Sequence, residues 1–250
     1  MTTKFKLLKN EIKQLKNPAK AKILQGFFKT GGGEYGEGDI FLGITVPLQR
    51  QLVKQCWQDL TLADIDALLK SKFHEERLIA LLILVKKFTS TKILNQKSEI
   101  YKFYLSHTKY INNWDLVDLS APNIVGEYLY SLSLDGRGVG VRVKNQTLLR
   151  LAKSKNLWER RIAILATFAF IKKRDPKDSL VIVKMLLTDK HDLIHKAVGW
   201  MLREIGKRCD EKTLTDFLNK NVLKMPRTTL RYAIERLPQE KKLYYLHLKK

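Results

Sequence analysis

Along this chain apolar residues recur at the three- and four-residue spacing of helices, and no stretch shows a convincing two-residue alternation of strands. Leu7 to Leu15 is a short amphipathic segment. Asn17-Pro18 restarts the chain, with Pro18 suited to the first turn of a helix running to about Lys29. Pro47 opens a helix through Cys56 and Trp57, and Thr61 followed by Asp64 has the spacing of a capping box. His74 begins a very apolar helix, Leu78 to Phe88. Further helices are expected over Ile93–Leu105, Trp114–Leu119, Pro122–Leu132, Leu148–Lys153, Leu157–Lys172, Leu180–Leu187, Leu193–Lys207, Leu214–Leu218, Arg227–Leu237 and Lys241–Leu248. The fold class is therefore all-α.

Two glycine-rich stretches interrupt the pattern. Thr30 to Asp39 contains Gly31, Gly32, Gly33, Gly36 and Gly38 and reads as a flexible connector. It lacks the GK[ST] ending of a phosphate-binding loop, and its acidic residues would repel phosphate. Leu134 to Gly140 is basic but follows no strand pattern, which makes it a weak dinucleotide motif.

Three long helices resemble one another. Glu76-Arg77-Leu78-Ile79-Ala80, Glu159-Arg160-Arg161-Ile162-Ala163 and His195-Lys196-Ala197-Val198-Gly199 each enter on polar residues and then turn apolar around a small residue. With a copy near Pro122 their spacing is roughly 35–45 residues, the period of two-helix HEAT-type repeats. A single domain over 1–250 follows, a curved superhelix (α-solenoid) of HEAT-like helix pairs with a concave face.

Charge says what that face would meet. The 250 residues carry 47 Lys and Arg against 25 Asp and Glu, a net +22, which points to a polyanion first and an anionic membrane second. No apolar run approaches the roughly 18 residues of a transmembrane span. The N-terminus lacks the apolar region and cleavage site of a signal peptide. Cys56 and Cys209 lie far apart, so no disulfide or zinc site is expected, and a reducing cytosol is. His74-Glu75-Glu76-Arg77 is not a zinc motif, because the second His is missing; His74 reads as a helix-start residue.

The chemistry concentrates on Asn112-Asn113-Trp114-Asp115-Leu116-Val117-Asp118. Trp114 and Asp118, four apart, share a helix face one turn from each other. An indole beside a carboxylate suits a cationic ligand. The alternative is a core Trp114 with a solvated or salt-bridged Asp118. Trp158 and Arg161 lie three apart, and Lys196, Trp200, Arg203 and Lys207 form a stripe at helical spacing. The cations there would contact phosphates, giving affinity without reading sequence. The other reading is that Trp158 and Trp200 plug gaps between repeats while the cations solubilise the surface.

Asn113 to Asp118, Trp158 to Leu165 and Lys196 to Glu204 resemble the three signature segments of the DNA alkylation repair (AlkD-like) glycosylases, and Phe41-Leu42-Gly43-Ile44 with Pro47 resembles that family's N-terminal segment. The resemblance spans nearly the whole chain. It implies a superhelix of HEAT-like pairs and hydrolysis of the N-glycosidic bond of cationic alkylpurines, such as 3-methyladenine and 7-methylguanine, in duplex DNA. It implies a catalytic carboxylate at Asp118, lesion-lining aromatics at Trp114 and Trp200, and a DNA-backbone arginine at Arg161. No cofactor or metal is implied, and the expected protein is a cytoplasmic monomer, nucleoid-associated when bound to DNA. The sequence departs from some relatives at Asn113, where they carry a second Trp, and at Phe27 and Phe28, where they carry a Tyr. The Gly31 to Gly38 segment lies beside that position. The other function class is a non-catalytic binder of bent or branched DNA using the same basic surface.

Overall fold

The structure, a computed structural model, describes residues 1–133 and 139–248, without the side chains of 139–143 and 145. The described residues are all-helical, 74% of them in helix, with no strand among them; one isolated bridge joins Ile40 and Phe73. No described helix is long and apolar enough to cross a membrane. The chain divides into two compact units, Met1–Ser120 and Ala121–Lys250, where the sequence pattern suggests one array over 1–250.

The first unit holds α1 (Thr3–Gln14), α2 (Pro18–Phe27), α3 (Val46–Cys56), α4 (Leu62–Leu69), α5 (His74–Ser90), α6 (Leu94–Ser106) and α7, which starts at Trp114 and continues to Ala121. Its axis is α5, against which α3, α4 and α6 pack. The nearly unbroken apolar run Leu78–Leu84 is explained by this position, because a helix covered on all sides has no polar face. Thr61 and Asp64 form the expected capping box. Asp64 also accepts the Thr2 N–H and hydroxyl, both at 3.0 Å, which ties the chain's start to α4. Both cysteines are free thiols.

The second unit contains α8 (Glu127–Ser133), α9 (Val139–Ala152), α10 (Leu157–Ala166), α11 (Phe168–Lys172), α12 (Lys177–Leu186), α13 (Asp192–Arg208), α14 (Glu211–Asn221), α15 (Arg227–Ile234) and α16 (Gln239–His247). Here α13 is the axis, flanked by α10, α12, α14 and α15. Its apolar stripe of Leu193, Ile194, Ala197, Val198, Met201, Leu202 and Ile205 is buried. Gly199 lets α15 approach closely: a Cβ at that position would lie 2.5 Å from both the Thr229 carbonyl and the Tyr232 Cβ. Gly199→Ala should therefore force α13 and α15 apart and destabilise the chain by about 1–3 kcal/mol, measured by chemical denaturation. An unchanged midpoint would show that the approach is not tight.

Several boundaries differ from the sequence pattern for local reasons. The expected helix Leu157–Lys172 breaks at Thr167, whose hydroxyl donates to the Ile164 carbonyl at 2.7 Å and whose own carbonyl accepts from Ser179 Oγ at 3.3 Å. Pro122 carries no N–H, and the chain over Pro122–Gly126 widens into a π-helical turn before α8. Helix α9 begins at Val139, although the glycine and β-branched residues there weigh against helix. Most of the Leu134–Gly140 motif lies outside the described residues.

Candidate active site

The entry to α7 is fixed by side chains on both sides of Trp114. Asn113 is fully buried; its Oδ1 accepts the Trp114 N–H at 2.8 Å and its Nδ2 donates to Asp39 at 3.1 Å. Asp115 is buried as well, accepting the Leu116 N–H at 2.9 Å through Oδ1. Leu116 and Val117 face the core, leaving Trp114 and Asp118, both half-buried, one turn apart on the remaining side.

Trp114 belongs to an aromatic stack. Its ring lies on Phe28 with centroids 5.1 Å apart and planes 11° from parallel. Phe28 stacks on Phe41 at 4.9 Å, and Phe41 on the imidazole of His74 at 4.4 Å. Phe27 meets Trp114 edge-on at 6.1 Å and is otherwise 63% exposed. The adjacent phenylalanines are thus divided, one in the stack and one at the surface.

A buried ionic cluster anchors the far end. His74 donates through Nδ1 to Asp39 at 2.9 Å and through Nε2 to Asp115 at 2.8 Å. An ionised carboxylate only accepts, so the ring gives a proton to each side and is an imidazolium. Burial pulls the His74 pKa down, but hydrogen bonds to Asp115 and Asp39 and their charges outweigh it and raise it to about 9. Burial likewise pushes Asp39 upward, yet His74, Arg77 and Asn113 hold it below the usual carboxylate range. Arg77 completes the balance with Nη2 2.5 Å from Asp39. His74 is thus the helix-start residue that its position suggested and also the link between carboxylates 35 and 41 residues away in sequence.

The glycine-rich segment is tied to the same cluster. Gly36 donates to the Lys29 carbonyl at 3.1 Å, and a Cβ there would lie 2.5 Å from the Phe28 carbonyl. Gly31 and Gly33 donate to Glu34 and Glu37, and Asp39 donates back to Gly36 at 3.0 Å. The connector read from composition is a chain of turns that delivers Asp39 under the stack. Next to it, the Phe41–Ile44 backbone is held by Glu75, whose carboxylate accepts from Leu42 and Gly43 at 2.8 Å and from Ile44 at 3.2 Å.

Asp118 acts electrostatically on buried Tyr104. Burial raises the Tyr104 pKa far above its usual value, a hydrogen bond to Ser120 Oγ at 2.9 Å opposes this, and the Asp118 charge adds to the rise. Among the described residues no group of His, Cys, Asp and Glu could hold a metal ion.

In the second unit Trp200 is half-buried, 6.0 Å from Phe168, over whose ring Lys172 and Arg208 both lie at 5.3 Å. Lys196, Trp200, Arg203 and Lys207 fall along one side of α13, opposite its apolar stripe. Lys196 pairs with Asp192 at 2.8 Å, Arg203 pairs with Glu235, and Lys207 is exposed. Arg161 and Trp158 differ from the rest, being only 5% and 7% exposed. The Arg161 guanidinium donates to the Leu193 carbonyl at 2.5 Å, so it braces the first turn of α13.

Comparison with protein families supplies the deciding observation: the model of the DNA alkylation repair enzyme family matches residues 8–237. The chain belongs to that family. Its membership supports a role in the repair of alkylated DNA, with DNA as substrate. Comparison with curated proteins gives no match. Among solved structures, the chain is similar to a predicted DNA alkylation repair enzyme from Enterococcus faecalis, at 17% identity and a TM-score of 0.68, over 90% of this chain and 97% of that one. That likeness is one of fold. For this member of the family, sequence reasoning singled out Trp114 and Asp118 but missed Asp39, His74 and Asp115, which hold Trp114 in place.

Proposed function

We propose that this chain is a monofunctional DNA glycosylase that excises cationic alkylated purines, such as 3-methyladenine and 7-methylguanine, from duplex DNA in base excision repair. The observation that carries this reading is the pair Trp114 and Asp118 on one side of α7, with the indole fixed flat against Phe28. An alkylated purine already bears positive charge, so it leaves as a neutral base when the bond from N to C1′ breaks. The sugar then becomes oxocarbenium-like, and a carboxylate stabilises it or orients the water that adds to C1′. Asp118 takes that role. Trp114 offers a ring to the cationic base. An abasic site and a free base are the products. The test is release of 7-methylguanine and 3-methyladenine from methylated duplex DNA; tight DNA binding with no released base would leave a non-catalytic binder instead.

The cations of α13 serve the phosphates. Lys207→Ala should lower the slope of log affinity against log salt by about one and weaken all sequences alike. Arg161→Ala should also lower stability, because one of its bonds goes to a carbonyl inside the unit. An Arg161→Ala protein that keeps the wild-type salt slope would remove Arg161 from the phosphate-contacting set.

A further inference from the structure

A basic cleft of about 280 Å³ lies in the first unit, between α1 and the residue before α5. Ile12 and Phe73 are its apolar lining, and its polar groups come from Lys9, Asn10, Lys13, Lys16 and Glu76. Neither Trp114 nor Asp118 lines it.

The cations gather there for a reason of helix geometry. Helix α1 turns Phe5, Leu8 and Ile12 into the core. Lys9, Lys13 and Lys16 follow one another at steps of four and three residues, which sets them along one flank of that stripe. The acidic residue of α1, Glu11, acts instead on Cys56 of α3. Lys72 adds a fourth ammonium from the loop before α5. Lys16 and Lys72 lie over the same Phe73 ring, 5.5 and 5.3 Å from its centroid.

One carboxylate lines the cleft, and it is already taken. Glu76 is 3% exposed and accepts from Lys9 at 2.5 Å through Oε1, while its Oε2 is shut off from the cleft by burial. Lys13, Lys16 and Lys72 pair with no carboxylate among the described residues. Like charges at helical spacing repel, and an anion between them relieves that repulsion. The accessible groups left over, three ammoniums and the exposed Asn10 amide, can all donate. A phosphodiester offers charge and acceptors and no donor, which matches this lining. From the convergence of Lys13, Lys16 and Lys72 around Phe73, the geometry points to a phosphate-binding cleft in the first unit that grips the backbone of duplex DNA, in addition to the cations of α13. Such a contact adds affinity and fixes position without reading sequence. The cleft requires DNA as the partner but not base excision, so it serves a glycosylase and a non-catalytic binder alike.

The experiment measures binding of an unmodified duplex by the full-length chain across a salt series. One variant combines Lys13→Gln, Lys16→Gln and Lys72→Gln. The control combines Lys54→Gln, Lys92→Gln and Lys102→Gln, which removes the same charge from exposed positions elsewhere in the unit. The cleft variant should lower the slope of log affinity against log salt by about two to three and the control by less than about one, since each phosphate contact contributes about 0.9. On adding duplex to the wild type, the Phe73 ring resonances should shift. Those of Trp57, whose ring carries Lys86 at 5.4 Å outside the cleft, should stay in place. Equal slopes for the two variants would reduce the effect to bulk charge, and unmoved Phe73 resonances would put the duplex elsewhere; either result overturns the site. A cleft variant that keeps the wild-type DNA slope but no longer binds phosphatidylserine vesicles would also overturn it, assigning the cleft to an anionic membrane.

Discussion

Asp118→Asn should lower single-turnover release of 7-methylguanine by about 10²–10³-fold while leaving the melting curve unchanged. The substitution removes a charge and keeps size and most hydrogen bonding. Losing one electrostatic stabiliser of a transition state costs roughly 3–4 kcal/mol, which is that range of rates. DNA affinity should hold or rise, since a negative charge has been taken from beside a polyanion. A purely structural Asp118 forecasts lower stability and full activity per folded molecule. The two outcomes separate when rate and melting are measured on one preparation at saturating enzyme. An Asn variant that melts normally and releases base at the wild-type rate would end the catalytic assignment.

The second large effect belongs to His74. His74→Ala should destabilise the first unit by about 3–5 kcal/mol, because it leaves the buried carboxylates of Asp39 and Asp115 without the cation they share. Arg77 still reaches Asp39, so Asp115 is the more exposed to loss. The same group makes stability depend on pH with a definite sign. The folded pKa of about 9 lies above the unfolded value near 6.5, so the folded state holds the proton more tightly. Its contribution is fully present below about pH 6.5 and is lost as pH rises through about 9, on the order of 3 kcal/mol in all. Denaturation between pH 6 and 10 should show a decline in wild type that is largely missing in His74→Ala. Parallel curves for the two proteins would mean that the ring is neutral when folded. Because the stack runs from His74 through Phe41 and Phe28 to Trp114, the variant should also lose base release under conditions where it remains folded.

Much of the fold was legible because a helix announces itself within about ten residues. The stripe of α13, the Thr61–Asp64 cap and the Pro18 start are local patterns, and each lies where periodicity or capping chemistry put it, whereas α1 begins at Thr3, capped by Thr2, four residues before the expected Leu7. The break at Thr167 and the π-helical turn over Pro122–Gly126 were less visible, since they depend on which neighbour satisfies a freed backbone group. The site divides in the same way. Trp114 and Asp118 are four residues apart and could be seen together. The cluster that positions Trp114 joins residues 39, 74, 77, 113 and 115, and nothing in the spacing of two aspartates and a histidine signals that they meet. Arg161 shows a local signal of burial: it stands three residues from Trp158 and four from Leu165, on the buried stripe of α10, whereas its neighbour Arg160 turns toward Asp189.

The long reach of that cluster bears on when in the life of the chain Trp114 acquires its setting. The bond from Asn113 to Asp39 spans 74 residues, and the stack on Phe28 cannot close until α7 exists. Loops of that length close late, after local helices have formed. During synthesis the first hundred residues would therefore leave the ribosome already helical and basic, able to touch nucleic acid through charge alone, with Phe28, Phe41 and His74 waiting for their last partners. Emergence of Asn113 to Asp118 completes the platform in one step. Any truncation that ends before α7 would leave a basic chain whose stack lacks its indole, and the order of synthesis brings Trp114 and Asp118 out together onto a scaffold already made.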